Sequence, residues 1–133
     1  MTTMTTERLF FALAALLGGT AVAAGAFATH ALRSDLSPRL LEVFETGVRY
    51  QMYHAFALLA VALALHTALG QALWLTVGGW ALVVGTVIFS GSLYTLSLSG
   101  VGILGAVAPL GGLALMVGWG CLVVAACLGA TST

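Results

Sequence analysis

The sequence predicts an all-α membrane protein: four transmembrane helices in an antiparallel bundle, plus one interfacial amphipathic helix between the first and second spans. Composition is the first observation behind this prediction. Hydrophobic residues make up 61% and charged residues 6% of the 133-residue chain, and the mean hydropathy is +1.12. A soluble domain is nearer about a quarter charged. The second observation is a series of long apolar runs, and the third is the shortness of the later linkers between them.

The charges lie only in the first part of the chain. All four arginines and all four carboxylates precede Tyr50, and Lys does not occur. A nucleic-acid partner requires a basic patch, and arginines balanced by an equal number of acids do not form one. We therefore expect no nucleic acid as a partner. The expected surroundings are the lipid bilayer of a cell membrane, crossed several times, with the bacterial inner membrane favoured.

The first apolar run covers residues 9–31, which is long enough to cross a membrane. A cleaved signal peptide is the alternative interpretation, because Ala-rich ends favour cleavage. The run is longer than a typical signal core, and only one Arg beside one Glu precedes it. These features favour a first span that is kept in the mature protein.

The segment that follows predicts a short amphipathic helix at about residues 38–49. Ser37 before Pro38 is a helix start, since Ser caps helices and Pro is tolerated at the first helical position. Polar and apolar residues then recur at helical spacing, which gives one polar and one apolar face. A short helix of this kind between two spans is expected in the membrane interface, with Gly47 as the bend into the second span.

Three further spans are predicted at about residues 51–69, 73–98 and 103–128, and the whole chain, residues 1–133, is interpreted as a single membrane domain. The short linkers make consecutive spans antiparallel neighbours. Pro109 lies inside the fourth predicted span and is expected to kink it, because proline lacks the N–H that a helix interior needs.

Small residues recur every seven positions in the predicted spans, as at Gly78 and Gly85 in the third and at Gly111 and Gly118 in the fourth. Lipid supplies no hydrophobic force between helices, so close packing of small residues holds them together. These stripes are interpreted as closing the bundle, with an interface between copies of the chain as the alternative. Both cysteines are interpreted as small hydrophobic residues in a helix interface.

Polar residues gather at one end of the predicted bundle. We call this end side A; it holds the loop between the first two spans, and side B is the opposite end. The candidate cluster consists of His30, Arg49, Tyr50, Gln51, His54, Ser90, Ser92 and Tyr94. His54 lies about one turn inside the predicted membrane, where an unpaired polar group is costly, so it is expected to face the bundle.

A structural role is favoured for each member of this cluster. Arg49 has the spacing of an ion pair with Glu45 and is interpreted as an interfacial anchor. The tyrosines are typical of an aromatic belt. For His30 and His54 a structural hydrogen bond is favoured, and a metal or proton-transfer role is the alternative. No enzyme motif or metal-ligand spacing occurs, so no catalytic residue, metal or cofactor is predicted.

Four stretches resemble a known family. They are GAFATHAL (residues 25–32), FETGVRYQMYHAFALL (residues 44–59), FSGSLYTLSLSG (residues 89–100) and PLGGLALMVGW (residues 109–119). In order and sequence they resemble the domain of unknown function 423 family, small membrane proteins of the YgdD-like and transmembrane-protein-256-like kinds. The resemblance implies a multi-span protein with no established reaction. It also implies importance for the cluster, for Thr46, and for Gly47, Gly91 and Pro109 as structural residues.

Three functions are compatible with these observations. A non-enzymatic scaffold or accessory subunit is favoured, with a homo-oligomer or a larger membrane complex as the expected partner. A small transporter or channel component is the alternative, with side A as its vestibule. The second alternative is metal or haem binding through His30 and His54, although two histidines are too few for a closed zinc site. The distribution of arginines weakly favours side A in the cytoplasm.

Overall fold

The computed structural model of the protein describes residues 3–129. Its four α-helices are α1 (Thr6–Phe27), α2 (Pro38–Thr67), α3 (Ala72–Ser99) and α4 (Ala108–Gly129). A π-helical segment, Ala28–Leu32, continues α1, and a 3-10 helix, Gly102–Ala106, precedes α4. Within the described residues, four helical segments are long and apolar enough to cross a membrane. The predicted all-α, four-span fold is therefore confirmed.

The separate interfacial helix was a wrong prediction, because α2 runs without interruption through residues 38–67. Its start is as predicted: Pro38 opens the helix, and the Ser37 hydroxyl accepts the Leu40 N–H at 3.3 Å. A helix of 30 residues is roughly 45 Å long, whereas the hydrocarbon layer is about 30 Å thick. The amphipathic segment is thus the protruding N-terminal part of a spanning helix, and a single glycine was not enough to break it.

A small apolar core lies at side A, where the protruding part of α2 meets the ends of α1 and α3. Phe44 is buried with Ala28 and Leu32 of the π-helical segment. The ring centroid of Phe44 lies 4.8 Å from that of Tyr94 and 6.3 Å from that of Phe27. These contacts support the first turns of α2 from both neighbouring helices.

The helices pack mainly in chain order, α1 on α2, α2 on α3 and α3 on α4. The central core between them contains Phe10, Leu58 and Leu82, which are at most 1% exposed. Gly79 leaves the space that the Phe10 ring fills, and Phe10 meets Trp80 edge to face with ring centroids 5.4 Å apart.

The seven-residue stripes close the bundle, as predicted. A Cβ on Gly118 would lie 2.8 Å from the Leu82 side chain, and one on Gly85 would lie 2.9 Å from the Leu115 backbone nitrogen. Only glycine allows α3 and α4 to approach so closely. In the first span the buried stripe consists of Ala14 and Ala21 of α1 and Ala28 of the π-helical segment.

The structure corrects one prediction about α4 and refines another. Cys121 is buried as predicted, but Cys127 is exposed. Pro109 lies inside the candidate span Gly102–Gly129, just after the change from the 3-10 helix to α4, which begins at Ala108. Pro109 therefore lies in the first turn of α4, where the missing N–H has no helical acceptor to lose.

Neighbouring glycines of α4 provide a matched test of the packing between α3 and α4. In Gly111→Ala the new Cβ would overlap the backbone of Phe89, whereas in Gly112→Ala it would lie no closer than 3.8 Å to the Phe89 ring. We expect Gly111→Ala to destabilise the protein by about 1–3 kcal/mol. Gly112→Ala should be neutral or stabilising by up to about 1 kcal/mol, the helix propensity of Ala over Gly. Unfolding in mixed micelles measures both, and equal stabilities would contradict the packing.

Candidate functional site

Gln51 is the centre of the polar contacts near side A. Its Nε2 donates to the Leu17 carbonyl oxygen and to Thr20 Oγ1 of α1, both at 2.8 Å. Its Oε1 accepts the Tyr94 hydroxyl of α3 at 2.7 Å. The side chain is only 7% exposed, so one buried amide connects three helices. Thr20 donates its own proton to the Leu16 carbonyl at 2.7 Å, which leaves its oxygen free to accept from Gln51.

Two pairs of residues position this amide, and the two members of each pair are one helical turn apart. Gly47 precedes Gln51 on α2 by four residues, and Ser90 precedes Tyr94 on α3 by the same spacing. The Ser90 hydroxyl donates to the Gly47 carbonyl at 2.7 Å. A Cβ on Gly47 would lie 2.9 Å from the Tyr94 ring. Gly47 is therefore a point of close approach between α2 and α3, and α2 continues through it without the predicted bend.

His54 makes the second set of contacts, one turn nearer side B. Its Nδ1 lies 2.6 Å from the Tyr50 carbonyl oxygen, and the Trp119 indole N–H donates to its Nε2 at 3.2 Å. The imidazole stacks on the Tyr50 ring and meets Trp119 edge to face, with centroids 6.0 and 6.1 Å away. His54 is 6% exposed. It thus faces the bundle as predicted, with a partner on α4.

A groove of about 310 Å³ lies beside this pair, between α2 and α4. Tyr53 and His54 line it from α2, and Gly112, Met116 and Trp119 line it from α4. Tyr53 and Trp119 are 55% and 49% exposed. The groove is thus lined by aromatic and apolar side chains together with the His54 imidazole.

Three members of the predicted cluster do not join these contacts. Ser92 is buried but donates to the Phe89 carbonyl of its own helix at 2.8 Å. Arg49 is exposed; it donates to Thr46 Oγ1 at 3.0 Å and lies 3.9 Å from Glu45 Oε2.

His30 is also exposed, in the π-helical segment. A Cβ on Gly18 would lie 3.9 Å from Ala55, next to His54. His30 is twelve residues further along the chain, which corresponds to roughly 18 Å of helix. The predicted meeting of His30 and His54 is therefore not found.

Sequence reasoning missed three contributors: the Leu17 carbonyl, Thr20 and Trp119. Thr20 is the one hydroxyl between Leu9 and Phe27 in the first apolar run, which was a usable signal. Trp119 lies within one of the four stretches that resemble the family, but the sequence predicted no hydrogen-bond partner for its indole. The Leu17 carbonyl left no signal, since a freely accepting backbone oxygen depends on how the helices meet.

The polar side chains of this site are satisfied within the protein. Among residues 3–129, no buried side-chain nitrogen or oxygen lacks a hydrogen-bond partner. In the same part of the chain, no three His, Cys, Asp or Glu side chains come together in a metal-binding group. As built, the site can hold helices together and orient the His54 imidazole.

Comparison with known proteins identifies the family. Residues 24–112 match the family described as "Protein of unknown function (DUF423)". The chain belongs to this family. The UPF0382 membrane protein YwdK of Bacillus subtilis is 43% identical, with 90% of this chain and 96% of that protein covered. The UPF0382 inner membrane protein YgdD of Escherichia coli K12 is 36% identical, with 91% of each chain covered. No solved structure matches.

The relatives agree with the predicted class and localisation. Their names describe membrane proteins, in one case of the inner membrane, and this chain has four candidate spans among its described residues. This DUF423 protein is therefore a multi-pass integral membrane protein of unknown biochemical role. The matched residues 24–112 include both pairs that position the Gln51 amide.

The Gln51–Tyr94 bond of this DUF423 protein can be tested by a double-mutant cycle. Tyr94→Phe leaves Gln51 Oε1 without its donor and should destabilise the fold by about 1 kcal/mol. Gln51→Leu removes the contacts to both neighbouring helices and should cost about 2 kcal/mol or more. The double variant should lose less than the sum, because neither partner is then left unpaired.

Unfolding in mixed micelles gives these free energies. Thr95→Val is the control, because the exposed Thr95 hydroxyl bonds only to the Gly91 carbonyl of its own helix. Strictly additive losses in the cycle would show that the Gln51–Tyr94 bond does not couple α2 to α3.

Proposed function

We propose that this protein is a non-enzymatic membrane scaffold or accessory subunit that acts by assembling with other transmembrane helices, first of all with a second copy of itself. The observation that carries this proposal is the outer face of α1. Of the four candidate spans in the described residues, the one that begins with α1 has the smallest buried share. A helix so little used by its own fold is available to other helices.

The outer face of α1 consists largely of small residues. Ala15, Gly19 and Ala23 are exposed at a spacing of four, which places them on one side of the helix. This side is distinct from the buried stripe that packs on α2. A Cβ on Gly19 would have no heavy atom within 4 Å, so the fold of the single chain does not require glycine there. Small residues at this spacing allow two membrane helices to approach closely.

The inward direction of the polar contacts also supports a scaffold. Gln51 and Tyr94 bond to each other, and the Ser90 hydroxyl bonds to the α2 backbone. These groups fix the mutual positions of three helices, which is what a scaffold needs in order to present constant outer faces. The transporter and metal-binding hypotheses stay predictions, since no contact of the described residues specifically favours them.

Two exposed glycines provide a matched test of the proposal. Gly19 on α1 and Gly120 on α4 both lack any heavy atom within 4 Å of an added Cβ. Gly19→Ile should therefore leave the monomer folded but obstruct the α1 face, which should weaken self-association tenfold or more, about 1.4 kcal/mol. Gly120→Ile should leave association unchanged. Native mass spectrometry and sedimentation in mild detergent measure the association.

A pull-down from the membranes of each variant extends the test to unlike partners. Loss of a co-purifying membrane protein with Gly19→Ile, but not with Gly120→Ile, would support an accessory role for the α1 face. A monomeric wild type without a co-purifying partner would rule out the proposal. The α1 face would also be the wrong interface if both variants associated like the wild type.

A further inference from the structure

We propose that His54 and Trp119 form a proton-sensitive latch between α2 and α4, closed when the imidazole is neutral and opened when it is protonated. This inference concerns the conformation of a single chain and does not depend on the proposed scaffold role. It starts from the hydrogen bonds of His54, which specify the protonation state that the closed form accepts.

The partners of His54 allow only the neutral imidazole with its proton on Nδ1. The indole nitrogen of Trp119 is a donor only, so His54 Nε2 must offer its lone pair at the observed 3.2 Å. The Tyr50 carbonyl oxygen is an acceptor only, so His54 Nδ1, 2.6 Å away, must carry the hydrogen. Both contacts require the tautomer with its proton on Nδ1, and neither fits the tautomer with its proton on Nε2.

The latch joins helices that otherwise meet across a groove. The main packing partner of α4 is α3, through close contacts such as that of Gly118 with Leu82. Between α2 and α4 lie the groove beside His54 and a second one nearer side B, of about 190 Å³, lined by residues such as Ala64 and Ala126. The Trp119 indole reaches from α4 to the His54 imidazole of α2, so its hydrogen bond is a specific tie between these two helices.

Protonation breaks this tie. A proton from water that adds to Nε2 uses the lone pair that accepted the Trp119 N–H. The imidazolium then presents an N–H to the indole N–H, and the two repel. Nothing is oxidised or reduced, and the hydrogen bond to the Tyr50 carbonyl is kept. The indole must turn away to find another acceptor, which releases α4 from α2 at this level.

The side chains around His54 are aromatic or apolar, and they line the groove between α2 and α4. On α2 the titratable neighbours of His54 are Tyr50 and Tyr53. The α4 residues Trp119 and Met116 line the same groove and do not titrate. From α3, the Phe89 ring packs on Tyr50 with centroids 4.6 Å apart.

The nearest charged side chains along α2 are Arg49 and Glu45, which pair with each other towards side A. No carboxylate is among the described residues that line the groove with the imidazole. The observed hydrogen bond from Trp119 leaves no place for a proton on Nε2 in the closed form, so protonation of His54 is coupled to opening of the latch.

The indole N–H of Trp119 reports the latch directly. The chain has three tryptophans, so ¹⁵N-tryptophan labelling of the full-length protein in micelles gives three indole signals, and Trp119→Phe identifies that of Trp119. Lowering the pH from about 8 to about 5, where histidines ordinarily titrate, should shift the Trp119 signal. Its position at low pH should approach that in His54→Phe at high pH, where the acceptor is absent.

His54→Gln is the matched control, because its amide oxygen can accept the indole N–H but does not titrate in this range. Its Trp119 signal should stay constant with pH. A constant signal in the wild type would overturn the proposal. So would a pH-dependent shift of equal size in the wild type and in His54→Gln, because another group would then be responsible.

A distance measurement separates opening from a purely local change. Leu63 on α2 and Val123 on α4 are 54% and 64% exposed, so nitroxide labels there should leave the fold intact. With both native cysteines replaced by alanine, electron double resonance should show a longer or broader distance at low pH. His54→Gln should show no such change. An unchanged distance in the otherwise wild-type chain would mean that protonation does not open the latch, and the proposal would fail.

Discussion

The need to satisfy the buried amide of Gln51 is the constraint on which the side A end of this structure depends. Inside a membrane, no water is available to pair with a polar group, so each unsatisfied group costs several kcal/mol. Gln51 meets this need by reaching both α1 and α3. Its contacts set where these helices lie against α2, and the Tyr94 ring can take its place only because residue 47 has no side chain.

The bundle is held in two different ways. At side A, α2 is joined to both neighbours by hydrogen bonds of Gln51 and Ser90. In contrast, α4 is held on α3 by close approach of backbones, at glycines such as Gly111 and Gly118. Its bond to α2 comes from one indole. At the side B end, a hydrogen bond adds to this packing, because the Gln71 N–H at the start of α3 donates to the Ala125 carbonyl of α4 at 3.0 Å.

The sequence predicted those features that follow from periodicity and the cost of burial. Hydropathy gave the four spans, and the seven-residue spacing of Gly111 and Gly118 marked a helix interface. The antiparallel order of the spans placed Gln51 and Tyr94 at the same end. The sequence did not reveal that α2 is continuous, because a separate amphipathic helix and the protruding end of a long helix have the same pattern of polar and apolar residues. The partners of His54 depend on the rotation of α4, which a nearly uniform apolar sequence does not specify.

The direction of the polar groups also bears on the proposed scaffold role. Gln51, Tyr94 and Ser90 are bonded to one another or to backbone, so the proposed scaffold would act through other parts of its surface. With 6% charged residues, most of the remaining surface is hydrocarbon. Specific recognition by such a surface relies on shape, and shape is most distinctive where side chains are smallest and a neighbouring backbone can approach. For the proposed assembly, that place on α1 is the turn around Gly19, where no heavy atom of the described residues lies within 4 Å of an added Cβ.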